Sequence, residues 1–95
     1  MLAIKIDKQF KKDIERDKES GKYTPKDFSI LKEIMNTLAC GNAVDENYLP
    51  HRLIGDWKHY SECHIKPNWL LIYKQTKIEI NFARLGTHQQ LFKNF

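Results

Sequence analysis

The sequence predicts an α+β fold, with two amino-terminal helices packed on one face of a twisted, mainly antiparallel sheet of four to five strands. Three observations predict it. Helical periodicity dominates residues 8 to 40, an alternating period of two takes over from about residue 51, and turn residues separate the later apolar runs. The expected element order is β-α-α-β-β-β, with one further short strand, and helices covering one side of such a sheet form the economical two-layer solution. Ninety-five residues suit one domain, spanning 1–95, with a single modest core.

Leu2, Ile4 and Ile6 alternate with Ala3, Lys5 and Asp7, the pattern of a half-buried first strand. The charged segment KQFKKDIERDKES follows, with Asp7 as its candidate cap and Phe10 and Ile14 four apart. Its apolar stripe is thin, so this first helix is expected to pack lightly and to end at Gly21. The second helix has stronger signals. Thr24 can cap, Pro25 suits the first turn, and Asp27 closes an approximate capping box. Phe28, Leu31, Ile34, Met35 and Leu38 then mark a core-facing stripe, and Gly41-Asn42 stops the helix.

Strand-like runs follow at Arg52–Ile54, Trp57–Ile65, Trp69–Tyr73 and Lys77–Phe82. Gly55-Asp56, Pro67-Asn68 and Gln75-Thr76 are the expected reversals, which makes neighbouring strands antiparallel. If both helices lie on one face, the opposite face is expected to be the working surface.

Several function classes drop out on composition. No apolar run approaches the ~20 residues of a membrane span, and MLAIKIDKQFKKD interleaves charges with apolar residues, unlike a signal peptide. The expected location is cytoplasmic, with Cys40 and Cys63 as reduced, buried thiols. Charge is unevenly distributed. Residues 1–50 hold nine Lys/Arg and nine Asp/Glu, whereas residues 51–95 hold seven against three and contain all four histidines. A cationic half attracts polyanions.

His51, His64 and His88 each precede, end or follow a predicted strand, where side chains can converge without breaking the core. Close paired ligands such as HxH, HxxxH or CxxC are absent, so no metal or other cofactor is expected. Metal-free RNA cleavage fits the residue types better. It needs a base for the 2′-hydroxyl, an acid for the departing 5′-oxygen and positive charge on the phosphate. Imidazoles can carry both protons, and an aromatic platform can hold an unstacked base.

The blocks His51-Arg52-Leu53, Gly55 to Tyr60, His64 to Tyr73, and Arg84 to His88 with Leu91-Phe92 resemble the YafQ-type toxins of the RelE/ParE superfamily. The likeness extends over essentially the whole chain. It implies a RelE-like fold and a ribosome-dependent endoribonuclease that cuts mRNA. It also implies a cognate antitoxin partner, with operator DNA bound only through that antitoxin and no membrane association. By the resemblance, the functional histidines fall on His51, His64 and His88, the tryptophan on Trp69 and the carboxy-terminal phenylalanine on Phe92. Arg84 matches a phosphate-holding arginine, and Lys66 is expected to assist it. Asn68 departs from the pattern, standing where the best-known members carry an aspartate; it is expected to position RNA or a histidine. His88 is the expected acid and His64 or His51 the base. His59 matches no functional position and is expected at the surface. Rival expectations are a ParE-like gyrase inhibitor, a non-catalytic RNA-binding module, and a degenerate toxin that keeps only antitoxin binding.

Overall fold

The structure is a computed structural model that describes residues 1–92. Strand β1 (Ala3–Ile6) leads into helices α1 (Lys8–Ser20) and α2 (Pro25–Ala39). Strands β2 (His51–Arg52), β3 (Ser61–Lys66), β4 (Trp69–Gln75) and β5 (Glu79–Gly86) follow, then a single helical turn, α3 (His88–Leu91). The sheet order is β1-β5-β4-β3-β2, antiparallel except that β1 runs parallel to β5.

Helix α2 forms as its sequence predicts. The Thr24 hydroxyl accepts from the Asp27 N–H at 3.1 Å, and the Asp27 carboxylate accepts from the Thr24 N–H at 2.9 Å. Its Leu31, Ile34 and Leu38 enter the main core with Cys63, Leu71, Ile80, Phe82 and Leu85 from the sheet. Helix α1 is not the lightly packed element expected. Phe10 is wholly buried, and so are the acidic side chains of Asp13 and Asp17. The reason lies at the sheet edge. β1 pairs β5 only from Glu79 to Phe82, so the rest of β5 lacks a neighbouring strand on that side. Helix α1 covers this edge: Asp13 Oδ2 accepts from the Leu85 N–H at 3.0 Å, and Arg16 Nη2 donates to the Leu85 carbonyl at 2.7 Å.

Other expectations are corrected. All four residues of β1 are exposed, because it is an edge strand under which the core does not extend. The run Trp57–Ile65 is not one strand; Gly55–Trp57 forms a 3₁₀ turn and β3 starts only at Ser61. β5 begins later than predicted and runs on to Gly86. Cys40 is exposed at the end of α2, whereas Cys63 is buried as expected. Burial, with the nearby Glu62 charge, pushes the Cys63 thiol up to about 12.

The face of the sheet away from α1 and α2 is not bare. Leu70, Ile72, Ala83 and Leu91 form a second apolar cluster, partly covered by Leu53, Trp57, Tyr60 and Phe92. Among the described residues no helix is long and apolar enough to cross a membrane.

Candidate active site

The alternation along β3 and β4 decides which side chains reach this second face. Cys63, Ile65, Leu71 and Tyr73 enter the main core, while Leu70 and Ile72 join the second cluster. Glu62 and His64 pair directly with Ile72 and Leu70, so they stand on the face away from the helices. Glu62 also pairs with His51, and Ile72 with Arg84. One cross-strand row therefore reads His51, Glu62, Ile72, Arg84. The adjacent row brings His64 past Leu70 to Gly86, one residue before the Thr87 cap of α3.

Packing there is close. A Cβ at Gly86 would lie 2.8 Å from Gln90 Oε1 and 2.9 Å from Arg16 Nη2, so a larger residue there would have to displace the ends of both side chains. Helix α3 in turn presents His88. The three imidazoles form a line, with ring centroids 6.1 Å apart for His51 and His64 and 5.7 Å for His64 and His88. The Phe92 ring continues it, 6.4 Å beyond His88.

Each imidazole is held by an acceptor. His51 Nδ1 is 2.9 Å from the Leu49 carbonyl, and His64 Nδ1 is 3.3 Å from the Pro67 carbonyl. Carbonyls only accept, so both Nδ1 atoms carry hydrogen. Leu49 reaches this pose with a positive φ of 50°, a strained conformation for leucine. The two Nε2 atoms then face the same Glu62 oxygen, at 3.1 Å and 3.4 Å. Two ring lone pairs and a buried carboxylate oxygen therefore converge on one point.

His88 has a different partner. Asn68 Oδ1 lies 2.8 Å from His88 Nδ1 and accepts the His88 backbone N–H at 3.0 Å. A backbone N–H can only donate, which identifies the facing atom as the amide oxygen. His88 Nδ1 is therefore protonated too, and its Nε2 remains for chemistry. Asn68 Nδ2 donates to Gln89 Oε1 at 3.3 Å.

The remaining sequence-predicted residues divide. Phe92 lies by His88. Arg84 stands in the row described, but its Nε and Nη2 donate to Asp13 at 2.8 and 3.3 Å, so it is no unpaired phosphate clamp. Lys66 pairs with Asp27 at 3.3 Å, at the head of α2. Of the two roles expected for Trp69, contacting bases or shaping the pocket, its burial leaves the second. Trp69 is the first residue of β4 and points into the main core, wholly buried, its ring stacked 4.0 Å from Tyr23 and its indole N–H donated to Asp17 at 2.8 Å. His59 is exposed, as expected.

Sequence reasoning missed Glu62 and the acids of α1. Glu62 is two residues from His64 in a strand, a spacing that puts both on one face. Linear spacing offers no paired metal ligands, yet the fold assembles three candidate ones. His51, Glu62 and His64 offer ligand atoms within 4.8 Å of one another, assembled by cross-strand pairing that linear spacing does not reveal. Two imidazoles and a carboxylate suit zinc or copper(II).

The chain is similar to known proteins over most of its length. The family described as bacterial toxin of type II toxin-antitoxin system, YafQ, matches residues 2–93. The mRNA interferase toxin YafQ of Escherichia coli strain K12 is 41% identical over 91 residues, which cover 83% of this chain and 98% of that protein. The fold superposes on the crystal structure of the E. coli DinJ-YafQ complex with a TM-score of 0.86 and 34% identity, over 97% of this chain and 99% of that one. A copper-bound mutant toxin from Helicobacter pylori matches with the same TM-score and 36% identity, over 97% of this chain and all of the other.

Proposed function

The chain belongs to the YafQ family of toxins from bacterial type II toxin–antitoxin systems, and on that premise we propose that it is an mRNA interferase that cuts message by metal-free histidine acid–base catalysis. The observation that carries the chemistry is the line of three imidazoles on one sheet face, each with Nδ1 engaged by an acceptor.

His64 or His51 takes the proton of the 2′-hydroxyl through Nε2. The 2′-oxygen forms a bond to phosphorus, the bond from phosphorus to the 5′-oxygen breaks, and His88, in its imidazolium form with Nδ1–H kept on Asn68, gives its Nε2 proton to the departing oxygen. The products are a 2′,3′-cyclic phosphate and a free 5′-hydroxyl. Arg84 keeps donor hydrogens beyond the two given to Asp13, and it supplies positive charge to the phosphate oxygens. Trp69 acts from beneath, by filling the core under the Pro67-Asn68 turn.

Ribosome dependence follows from a net charge of only +4 and an open sheet face, which give little grip on free RNA. A cognate antitoxin is the expected partner, as DinJ is for the E. coli toxin. The test is a translating extract in which 5′ ends of message are mapped with the chain and with His88→Ala. The variant should cut ~100- to 10,000-fold more slowly; cutting at the parental rate removes His88 from the mechanism. A gyrase supercoiling assay separates this reading from a ParE-like one, which predicts inhibition.

A second reading rests on the His51–Glu62–His64 cluster. A copper or zinc ion held there would occupy the two Nε2 lone pairs that proton transfer needs. A mutant toxin of the same fold from H. pylori is copper-bound, which supports metal capture by such a fold.

A further inference from the structure

Beyond the histidine line, the same sheet face carries a cavity of about 640 Å³ lined by Leu53, Ile54, Asp56, Trp57, Arg84 and Phe92 among others. The volume is that of an ordinary ligand pocket. It opens directly off the imidazoles: the Phe92 ring is 6.4 Å from His88 on one side and 6.3 Å from Trp57 on the other. Its walls are aromatic and aliphatic, with one cation and one carboxylate.

That carboxylate needs a reason. Of the three acids in residues 51–92, Glu62 holds two histidines and Glu79 pairs with Lys5 at 3.6 Å. Asp56 has no ion pair among the described residues. An exposed carboxylate beside a polyanion's path repels it, unless it accepts hydrogen bonds from a base.

We propose that this cavity is a nucleobase subsite selective for guanine, resting on the reading of the chain as an RNA-cleaving toxin. Adenine (N6–H₂, N7) and cytosine (N4–H₂, N3) each set one amino group against a carboxylate, but guanine sets two donors against it. Its N1–H and N2–H₂ donate toward a carboxylate, while O6 and N7 accept from a guanidinium. Arg84 has such hydrogens left after its two bonds to Asp13. Trp57 and Phe92 offer rings to the base's π face. Uracil has one donor between two acceptors and would set a carbonyl against Asp56. The base occupying the subsite belongs to a nucleotide flanking the scissile phosphate, because the cavity adjoins His88.

The chain contains two tryptophans, and only Trp57 lines the cavity, so the buried Trp69 is an internal control. In a titration with guanosine 5′-monophosphate followed by NMR, the Trp57 indole resonance should move while that of Trp69 stays. Uridine 5′-monophosphate should bind roughly five- to hundredfold more weakly. Asp56→Asn, at an exposed position, should erase that preference. In mapped message, it should also flatten a guanine enrichment at one fixed position beside the cut. Equal binding of the two nucleotides, an unmoved Trp57 resonance, or unchanged selectivity in Asp56→Asn overturns the subsite. The titration needs no catalysis, so those failures differ from an uncut message, which overturns the nuclease reading and the subsite's role in it.

Discussion

Asn68 Oδ1 receives two hydrogen bonds from His88, one from ring Nδ1 at 2.8 Å and one from the backbone N–H at 3.0 Å. The amide thus fixes both the tautomer and the position of the ring without adding charge. A carboxylate in the same place would make the same two contacts and favour the imidazolium. Asn68→Asp should therefore keep cutting activity and displace the pH–rate profile toward higher pH. Asn68→Ala frees the ring and should lower the rate about tenfold or more at every pH. A profile that Asn68→Asp leaves in place would show that the amide acts on RNA and not through His88.

Glu62 ties His51 to His64 through a single buried oxygen. If the trio captures a metal, about one equivalent of copper(II) or zinc should suppress cleavage, and a chelator should restore it. Glu62→Gln removes the anionic ligand and should weaken metal inhibition more than tenfold. Undiminished inhibition in that variant, or in His51→Ala, would place the metal elsewhere. The variant also separates metal capture from catalysis, since its metal affinity can be read by calorimetry whatever its cutting rate.

Elements governed by local chemistry were legible in the sequence. The Thr24 cap with Asp27, the stripe of Leu31, Ile34 and Leu38, and the apolar run of β4 each follow from neighbours within four residues. What escaped was chemistry between distant residues. Apolar periodicity could not register Asp13 and Asp17 as buried, because their partners Arg84, Leu85 and Trp69 lie at least 52 positions away. The same blindness left two roles open for Trp69, contacting bases or shaping the pocket. Its strand parity turns it to the core, where Asp17 satisfies the indole N–H. The three site histidines were found one by one, yet the carboxylate between two of them was counted only as charge.

Trp69 and Asp17 give a direct check on that assignment. In a Trp57→Phe background the remaining indole is wholly buried, so its fluorescence should resist aqueous quenchers in the folded chain and become accessible in denaturant. Trp69→Phe keeps the stacking with Tyr23 but loses a hydrogen bond to a carboxylate, at a stability cost of about 1.5–3 kcal/mol. Chemical denaturation measures that loss. An efficiently quenched native indole would return Trp69 to the surface.

Asp13 is the residue on which the far end of β5 depends. Burial alone would raise its pKa, but hydrogen bonds from Arg84, the Leu85 N–H and Gln9, with the Arg84 charge, outweigh burial and hold it below the usual carboxylate range. A depressed pKa means that the folded state stabilises the carboxylate. That contribution is fully present above the unfolded value of about 3.9 and is lost as pH falls through the lower folded value. The stability of the parent should therefore decline in acid below about pH 4 more steeply than that of Asp13→Asn, and the two curves should approach each other. At neutral pH, Asp13→Ala leaves the Leu85 N–H without its acceptor and two arginines without their shared partner. The expected loss is about 3 kcal/mol, or more than ~10 °C in Tm for a domain of this size. If Asp13→Ala melts within a few degrees of the parent, the edge of β5 is held by other contacts. In a variant that still folds, cutting should also fall, because Arg84 would lose the anchor that sets it in line with Glu62 and His51.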